Sequence, residues 1–468
     1  MNLQNIKKYF DESLPLKKSV ILYIHKYSIK KYCLLLPLCA EYFMKKFFLL
    51  FSFLVTIITL SWAVFFPQQY HPVSYEYIDS KNNIQLTFFG FKWETDNVRT
   101  IEQLITEFMN QNKTVNVLYE GIKGRAYFPV LERRVQTENG DDLFMINQDT
   151  LLALSQGGNL VDLSELNEIN EYSALTLSQI REKDGSVFAL PTSVSAFGLY
   201  CNLDLLKKYQ ISVPNNITEF LDACKVFSEA GITPIIANND ISLKTLVMAR
   251  GMPALYQSGE ATFSEINTGK FPLSTYLRSG FELLEYLCEH GYIDRERALA
   301  TEKTKDDLID FAQGESPFML TGVWASVRLK KLVSFQYTIV PYPVLEDGTA
   351  LVVNIDTRLA LNAHGKHLPE AKSFLRYLIR PESINRFCAG QASFSPLKSV
   401  SLEAPLLQAI GENLRSGRVI VGADSRFAFP LWEISRLASL SILKGATTEQ
   451  ALGYLDDAVS DAISGGNL

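Results

Sequence analysis

Histidine and cysteine are both scarce in this chain, with 5 and 6 among 468 residues. His364 and His367 form the only close histidine pair, and no third ligand type stands near them, so the spacing reads as a loop and not as a metal centre. The six cysteines (33, 39, 201, 224, 288 and 388) lie too far apart to define a disulfide framework. The chain has no Gly-x-Ser-x-Gly nucleophile elbow, no His-Glu-x-x-His, no phosphate-binding P-loop and no Gly-x-Gly-x-x-Gly. It also lacks a repeat of fixed period, a low-complexity tract and a heptad run, which removes solenoids and coiled coils. Positive charge is short as well. Nine of the 45 Lys and Arg residues and three of the 51 acidic ones precede Pro67, leaving 36 against 48 and a net charge of −12 beyond that point. Such a surface argues against nucleic acid, which selects basic patches.

What the chain does have begins with Phe47–Phe66, an uncharged apolar run of 20 residues behind Lys45-Lys46. With no polar face it is not a core helix; it reads as a signal peptide or a membrane anchor in residues 44–66. Ser61-Trp62-Ala63 offers small residues for cleavage after Ala63, while Val64-Phe65-Phe66 prolongs the run as an anchor would. The lysines ahead of it place the N-terminus inside and the rest outside. Met44 has the look of a natural start, which makes residues 1–43 an over-extended beginning or a cytoplasmic tail. Residues 67–81 read as a spacer.

Beyond the spacer the length favours two lobes over one core, and the pattern is α/β. Ile84, Leu86 and Phe88 alternate with Gln85 and Thr87 up to Gly90, a strand. Val98, Ile101, Leu104, Ile105 and Phe108 share one helical face behind a cap at Thr95 or Asp96, and Val115, Val117 and Tyr119 resume a strand. Strand, helix and strand in that order predict a right-handed parallel unit. Leu143–Ile146 reads as another buried strand, followed by a helix from about Thr150 that Gly157-Gly158 interrupts. In open α/β sheets ligands sit beyond the carboxyl ends of the strands. That rule selects Lys92, Trp93 and Glu94 after the first strand, and Asn147, Gln148 and Asp149 after the strand at 143–146. Amides and carboxylates chelate vicinal hydroxyls, and an indole face covers the C–H patch of a sugar ring. Each has a plainer reading: Trp93 as a strand-end core residue, the carboxylates as caps or surface charges.

The stretch from Asp184 to Ile235 is the most informative. Asn216 with Glu219 makes a capping-box arrangement, and Ile217, Phe220, Leu221, Cys224 and Phe227 share one face up to Gly231, predicting a buried helix over 217–229. Gly185–Pro191, Tyr200–Leu205 and Pro214–Phe220 resemble, in order, the "GxxxxLP" strand, "YN.DL" turn and "P.TW.EF" helix of the type 1 extracellular solute-binding proteins, the carbohydrate-capturing subunits of ABC importers. Cys201 and Asn216-Ile217 depart from that pattern. Phe311–Trp324 resembles the family's "F..GkaAM...GsW" segment, with Val323 for Ser. Tyr337–Pro343, Pro369–Arg386 and Ser393–Pro396 resemble its later strand, helix and turn.

The resemblance implies a type II periplasmic-binding-protein-like fold: two discontinuous α/β lobes joined by hinge crossings around a cleft. Lobe I is expected at 82–194 and 335–380, lobe II at 195–334 and 381–468. It implies that Trp324 faces the cleft, and that the chain returns there at Asn354 and Asp356. Tyr200 stands beside the crossing, and Phe394 and Trp432 are further stacking candidates; each of these could instead be core. The implied function is capture of a sugar or oligosaccharide by a monomer, exported to the outer face of the membrane or secreted, with delivery to permease subunits and no cofactor. Many relatives carry a lipid-anchored cysteine after the apolar run; none stands there, and Leu36–Cys39 is a poor lipobox. A membrane-tethered sugar sensor and a secreted carbohydrate-acting enzyme are the alternatives. The two carboxylates a glycosidase needs are available in any acidic chain, so they decide nothing.

Overall fold

The computed structural model describes residues 83–137, 140–155, 157–303, 305–398 and 405–465. Residues 1–43, the apolar run and the spacer lie outside the described residues. Among those described, no helix is long and apolar enough to cross a membrane.

The alternation at the start of the described chain becomes strand β1 (Ile84–Gly90), with Leu86 and Phe88 in the core. The helix Thr95–Gln111 follows, burying Ile101, Leu104, Ile105 and Phe108, and leads into β2 (Val115–Gly121), which pairs parallel to β1. Strand β3 (Leu143–Ile146), buried along its whole length, lies parallel on the other side of β1. The predicted strand, helix and strand unit is therefore present.

Two long strands carry the chain onward. β4 (Leu190–Asn202) is buried at all 13 positions and pairs antiparallel with β9 (Gly348–Leu361). Around them lie β5 (Ile235–Ile236), β6 (Phe318–Gly322), β7 (Tyr337–Val340), β8 (Tyr342–Leu345) and β10 (Val419–Val421). The strand order is β2-β1-β3-β9-β4-β6-β5, with β7 on β4 and with β8 and β10 on β9.

Two apolar clusters flank this sheet. The first gathers β1–β3, Leu190, Val194, Ala196 and Tyr200 of β4, Leu351, Val353, Ile355 and Leu359–Leu361 of β9, and later residues such as Phe311, Met319 and Leu329. The second begins with Phe197, Leu199 and Cys201 of β4 and includes the helices Ile217–Glu229, Ile241–Ser258, Ser274–Glu289, Leu431–Leu443 and Thr448–Ile463. β4 and β9 are shared by both clusters: Phe197, Leu199, Cys201, Ala350 and Val352 pack into the second, while Ala196, Tyr200, Leu351 and Val353 pack into the first.

The helix predicted at 217–229 spans Ile217–Glu229, with the Asn216 side chain accepting from the Glu219 N–H at 2.9 Å. Glu219 reaches back to the N–H of Asn215 at 2.8 Å, one residue before the cap. Gly231 follows at φ +77°, a left-handed stop that glycine adopts without strain.

The segment 369–386 differs from the expectation of a single helix. It divides into Leu368–Leu378 and Pro381–Gln391, because Pro381 lacks the N–H a continuous helix needs and fits instead in the first turn of a new one. The second helix packs Ile384, Phe387 and Cys388 into the first cluster. Arg386 bonds Glu107 of the helix Thr95–Gln111 at 2.7 Å. Its apolar stripe finds that partner only in three dimensions. Cys201, Cys224, Cys288 and Cys388 are all buried and free, so these four act as small apolar side chains.

Candidate binding cleft

Where the two clusters meet, the second contributes an aromatic wall. Gly322 ends β6, and a Cβ there would stand 2.1 Å from the Trp324 ring, so glycine is what lets the indole fold back over the strand end. Gly422 does the same for Trp432, where a Cβ would stand 2.4 Å from the ring. Phe197 of β4 sits between the two indoles, 5.4 Å from each, edge-on to Trp324 at 83° and tilted to Trp432 at 42°.

Beside this wall the helix Ile241–Ser258 carries a buried charge. Lys244 is 1% exposed; its ammonium lies 4.0 Å from the centre of the Trp432 ring and 2.9 Å from Asp240 Oδ1. Lys303 also reaches Asp240. Burial pushes the Asp240 carboxyl upward, but Lys244 and Lys303 outweigh it and hold that carboxyl well below the usual range. Burial lowers Lys244 to about 8 against the opposing pull of Asp240.

The first cluster supplies the facing wall from loops. After β2 a single turn, Gly124–Ala126, presents Arg125, which pairs with Glu433 of the helix Leu431–Leu443 and stands 3.9 Å from Asp240. Lys123 lies 4.8 Å over the face of half-buried Trp93 and 3.9 Å from Glu302. After β3, Asn147 Oδ1 caps the next helix by accepting from the Thr150 N–H at 2.9 Å. Gln148 is buried and accepts from the fully buried Arg358 guanidinium. Burial pushes Asp149 up to about 7; Lys244 pulls it down, and the nearby Glu433 charge adds to the rise. The loop after β2 therefore meets the helix Leu431–Leu443 through Arg125 and Glu433, and Asp149 after β3 lies near Lys244 and Glu433.

The remaining predicted residues divide sharply. Glu94 accepts from Asn97 Nδ2 at 3.0 Å at the helix start, and Lys92 contributes its carbonyl to the Tyr119 hydroxyl at 2.6 Å. Asn354 accepts from the Ala423 N–H at 2.9 Å, behind Trp432. Asp356 is engaged by Ser195 Oγ at 2.9 Å and by the Thr357 N–H at 2.7 Å. Tyr200 and Phe394 are corrections. Tyr200 is fully buried, its hydroxyl donating to the Gly322 carbonyl at 2.9 Å. Phe394 is 1% exposed, and its main chain pairs with Val194. Both are core: Tyr200 lies in the fully buried β4, and Phe394 lies outside the strands, bridged to Val194 of that same strand.

Sequence reasoning missed Arg125, Asp240, Lys244 and Glu433. Asp240 and Lys244 stand four apart at a helix start, a spacing that puts opposite charges side by side and could have drawn attention. No such signal marks Arg125 or Glu433, which are 308 residues apart.

Two α/β halves sharing crossing strands, with loops at the strand ends facing an aromatic and charged wall, define a protein built to hold a ligand between lobes. The comparisons agree. Residues 92–384 match the model for the bacterial extracellular solute-binding proteins, and the chain belongs to that family. It is 21% identical over 321 residues to the multiple sugar-binding protein of Streptococcus mutans, covering 66% of this chain and 74% of that one. Among solved structures, a sugar transporter from Bacillus licheniformis in complex with stachyose is similar with a TM-score of 0.65 at 17% identity, covering 80% of this chain and 98% of that one. A chitin oligosaccharide binding protein is similar with a TM-score of 0.69 at 17% identity, covering 82% of this chain and 100% of that one.

Proposed function

We propose that this protein captures an oligosaccharide between its two lobes outside the cell and delivers it to the permease of an ABC importer. The observation that carries the reading is the wall formed by Trp324, Phe197 and Trp432, two indoles held beside hydrogen-bonding and charged groups from the opposite lobe. Flat aromatic faces cover the C–H surface of pyranose rings, and amides, carboxylates and cations address the hydroxyls. The named ligands of the similar proteins, a multiple-sugar binder among them, support the same class.

The lobes in this reading are β1–β3 with the second half of β9 and the helices Thr95–Gln111, Leu368–Leu378 and Pro381–Gln391, against the helices of the second cluster; β4 and β9 are the hinge. Of the residues predicted for the site, Trp93, Asn147, Gln148, Asp149 and Trp324 line the cleft, with Lys92, Glu94, Asn354 and Asp356 at its margins. Closure removes water from the hydrogen bonds, and the binding free energy offsets the cost of ordering the lobes. The protein acts as a monomer, anchored or secreted. Calorimetry of the purified full-length chain against mono- and oligosaccharides tests the reading. Saturable binding with the sugar recovered intact is the expected result; hydrolysed product would move the protein to the enzymes, and no binding to any sugar would remove the carbohydrate class.

A further inference from the structure

The charges on the two walls do not balance. Asp240 is shared by three cations: Lys244 at 2.9 Å, Arg125 at 3.9 Å, and Lys303. Glu433 is shared in turn by Arg125 and Arg436. Four cations therefore face two carboxylates, in a chain whose net charge beyond residue 66 is −12. Asp149 does not restore the balance, since burial pushes its carboxyl up to about 7 and leaves a large part of it protonated near neutral pH. Lys123 and Glu302, 3.9 Å apart, offset one another.

A local excess of cations is costly to enclose without a counter-charge, because closing a cleft strips water from them. A neutral sugar brings hydroxyls, which accept hydrogen bonds but carry no charge. Lys303 and Arg125 keep 38% and 47% of their side-chain surface exposed, so both can turn to a ligand, whereas Lys244 is locked against the Trp432 ring. Arginine adds a planar fork that matches a carboxylate in two parallel hydrogen bonds. The positive excess lies next to the indole that would stack on the sugar ring, which puts an anion on that ring or its immediate neighbour.

We propose that the ligand is an acidic oligosaccharide with a ring carboxylate, of the uronic acid type, whose anion is received by Lys303 and Arg125 while its ring lies on Trp432. This rests on the sugar-capture reading of the same cleft and narrows it. The experiment compares, by calorimetry on the full-length chain, oligouronates of the glucose, galactose and mannose series with their methyl esters and with neutral oligosaccharides of equal length and linkage. The methyl ester removes the charge and keeps the ring. At least one free acid should bind tenfold or more tightly than its ester at low salt, with the gap narrowing as salt is raised. Lys303→Gln should shrink the acid-over-ester ratio severalfold, with the melting temperature recorded on the same sample. Neutral sugars or esters that bind as tightly as the acids would overturn this inference and leave sugar capture standing. Binding of a sulfated sugar in place of every uronate would overturn the carboxylate assignment. Failure of all saccharides, charged and neutral, would overturn both.

Discussion

The two walls of the cleft hold their charges differently. On the second-lobe side Asp240 and Lys244 are 8% and 1% exposed, paired within one helix start and packed against Trp432. On the first-lobe side Lys123 and Arg125 are 48% and 47% exposed, sit on a single turn, and find their anions across the gap at Glu302 and Glu433. A buried pair is part of the lobe's own stability, whereas an exposed cross-gap pair contributes little to folding and is free to exchange partners. The Asp240–Lys244 pair therefore belongs to the fold of its own helix start, whereas Lys123 and Arg125 are held by exposed pairs to Glu302 and Glu433.

The largest effect that could break this contrast is at Asp240. Replacing it by Ala strands the Lys244 charge in the core, and we expect a loss of about 3 kcal/mol in urea-monitored stability. A loss near zero would mean that the second wall is no more integral than the first. Next come the indoles. Trp432→Ala and Trp324→Ala should each weaken sugar binding by about 2 kcal/mol, with melting temperature recorded on the same samples. A large fall in melting temperature with unchanged affinity would return either tryptophan to the core.

Asp149 connects the walls through pH. Its carboxyl rises from 3.8 in the unfolded chain to about 7 when folded, so the folded state holds the extra proton between those values. Stability contributed by that proton is complete below about 4 and is lost as pH rises toward about 7. Asp149→Asn should flatten the melting-temperature profile in that window; an unaltered slope would place Asp149 in water. Smaller again is Tyr200→Phe, which removes a buried hydroxyl bonded to the Gly322 carbonyl and should cost about 1 kcal/mol with no change in affinity. The smallest expected change is Arg125→Ala, below about 1 kcal/mol in stability. A destabilisation as large as that of Asp240→Ala would show that both walls are equally fixed.

Much of this architecture could be read along the chain because it is local. Period-two alternation at Ile84–Phe88, the Ile101–Phe108 stripe and the Asn216 cap each depend on residues within a turn or two, and each forms where the pattern places it. Trp93 and Asn147–Asp149 do follow β1 and β3, since their place after a strand depends on local pattern. Tyr200 was undecidable from pattern alone: in a strand buried at every position, neighbouring residues look alike, and only the packing of Tyr337 and Phe311 on its ring makes it core.

Tertiary structure alone decided the charge pattern. Residue types and local spacing determined that the chain would form α/β elements with aromatic and polar groups at the strand ends. That Asp240 would serve Arg125, and that Glu433 would meet a loop more than three hundred residues away, depended on how the chain packs around its shared strands. Electrostatic partners are chosen by distance in space, and a linear chain with no periodic link between such positions carries no record of it.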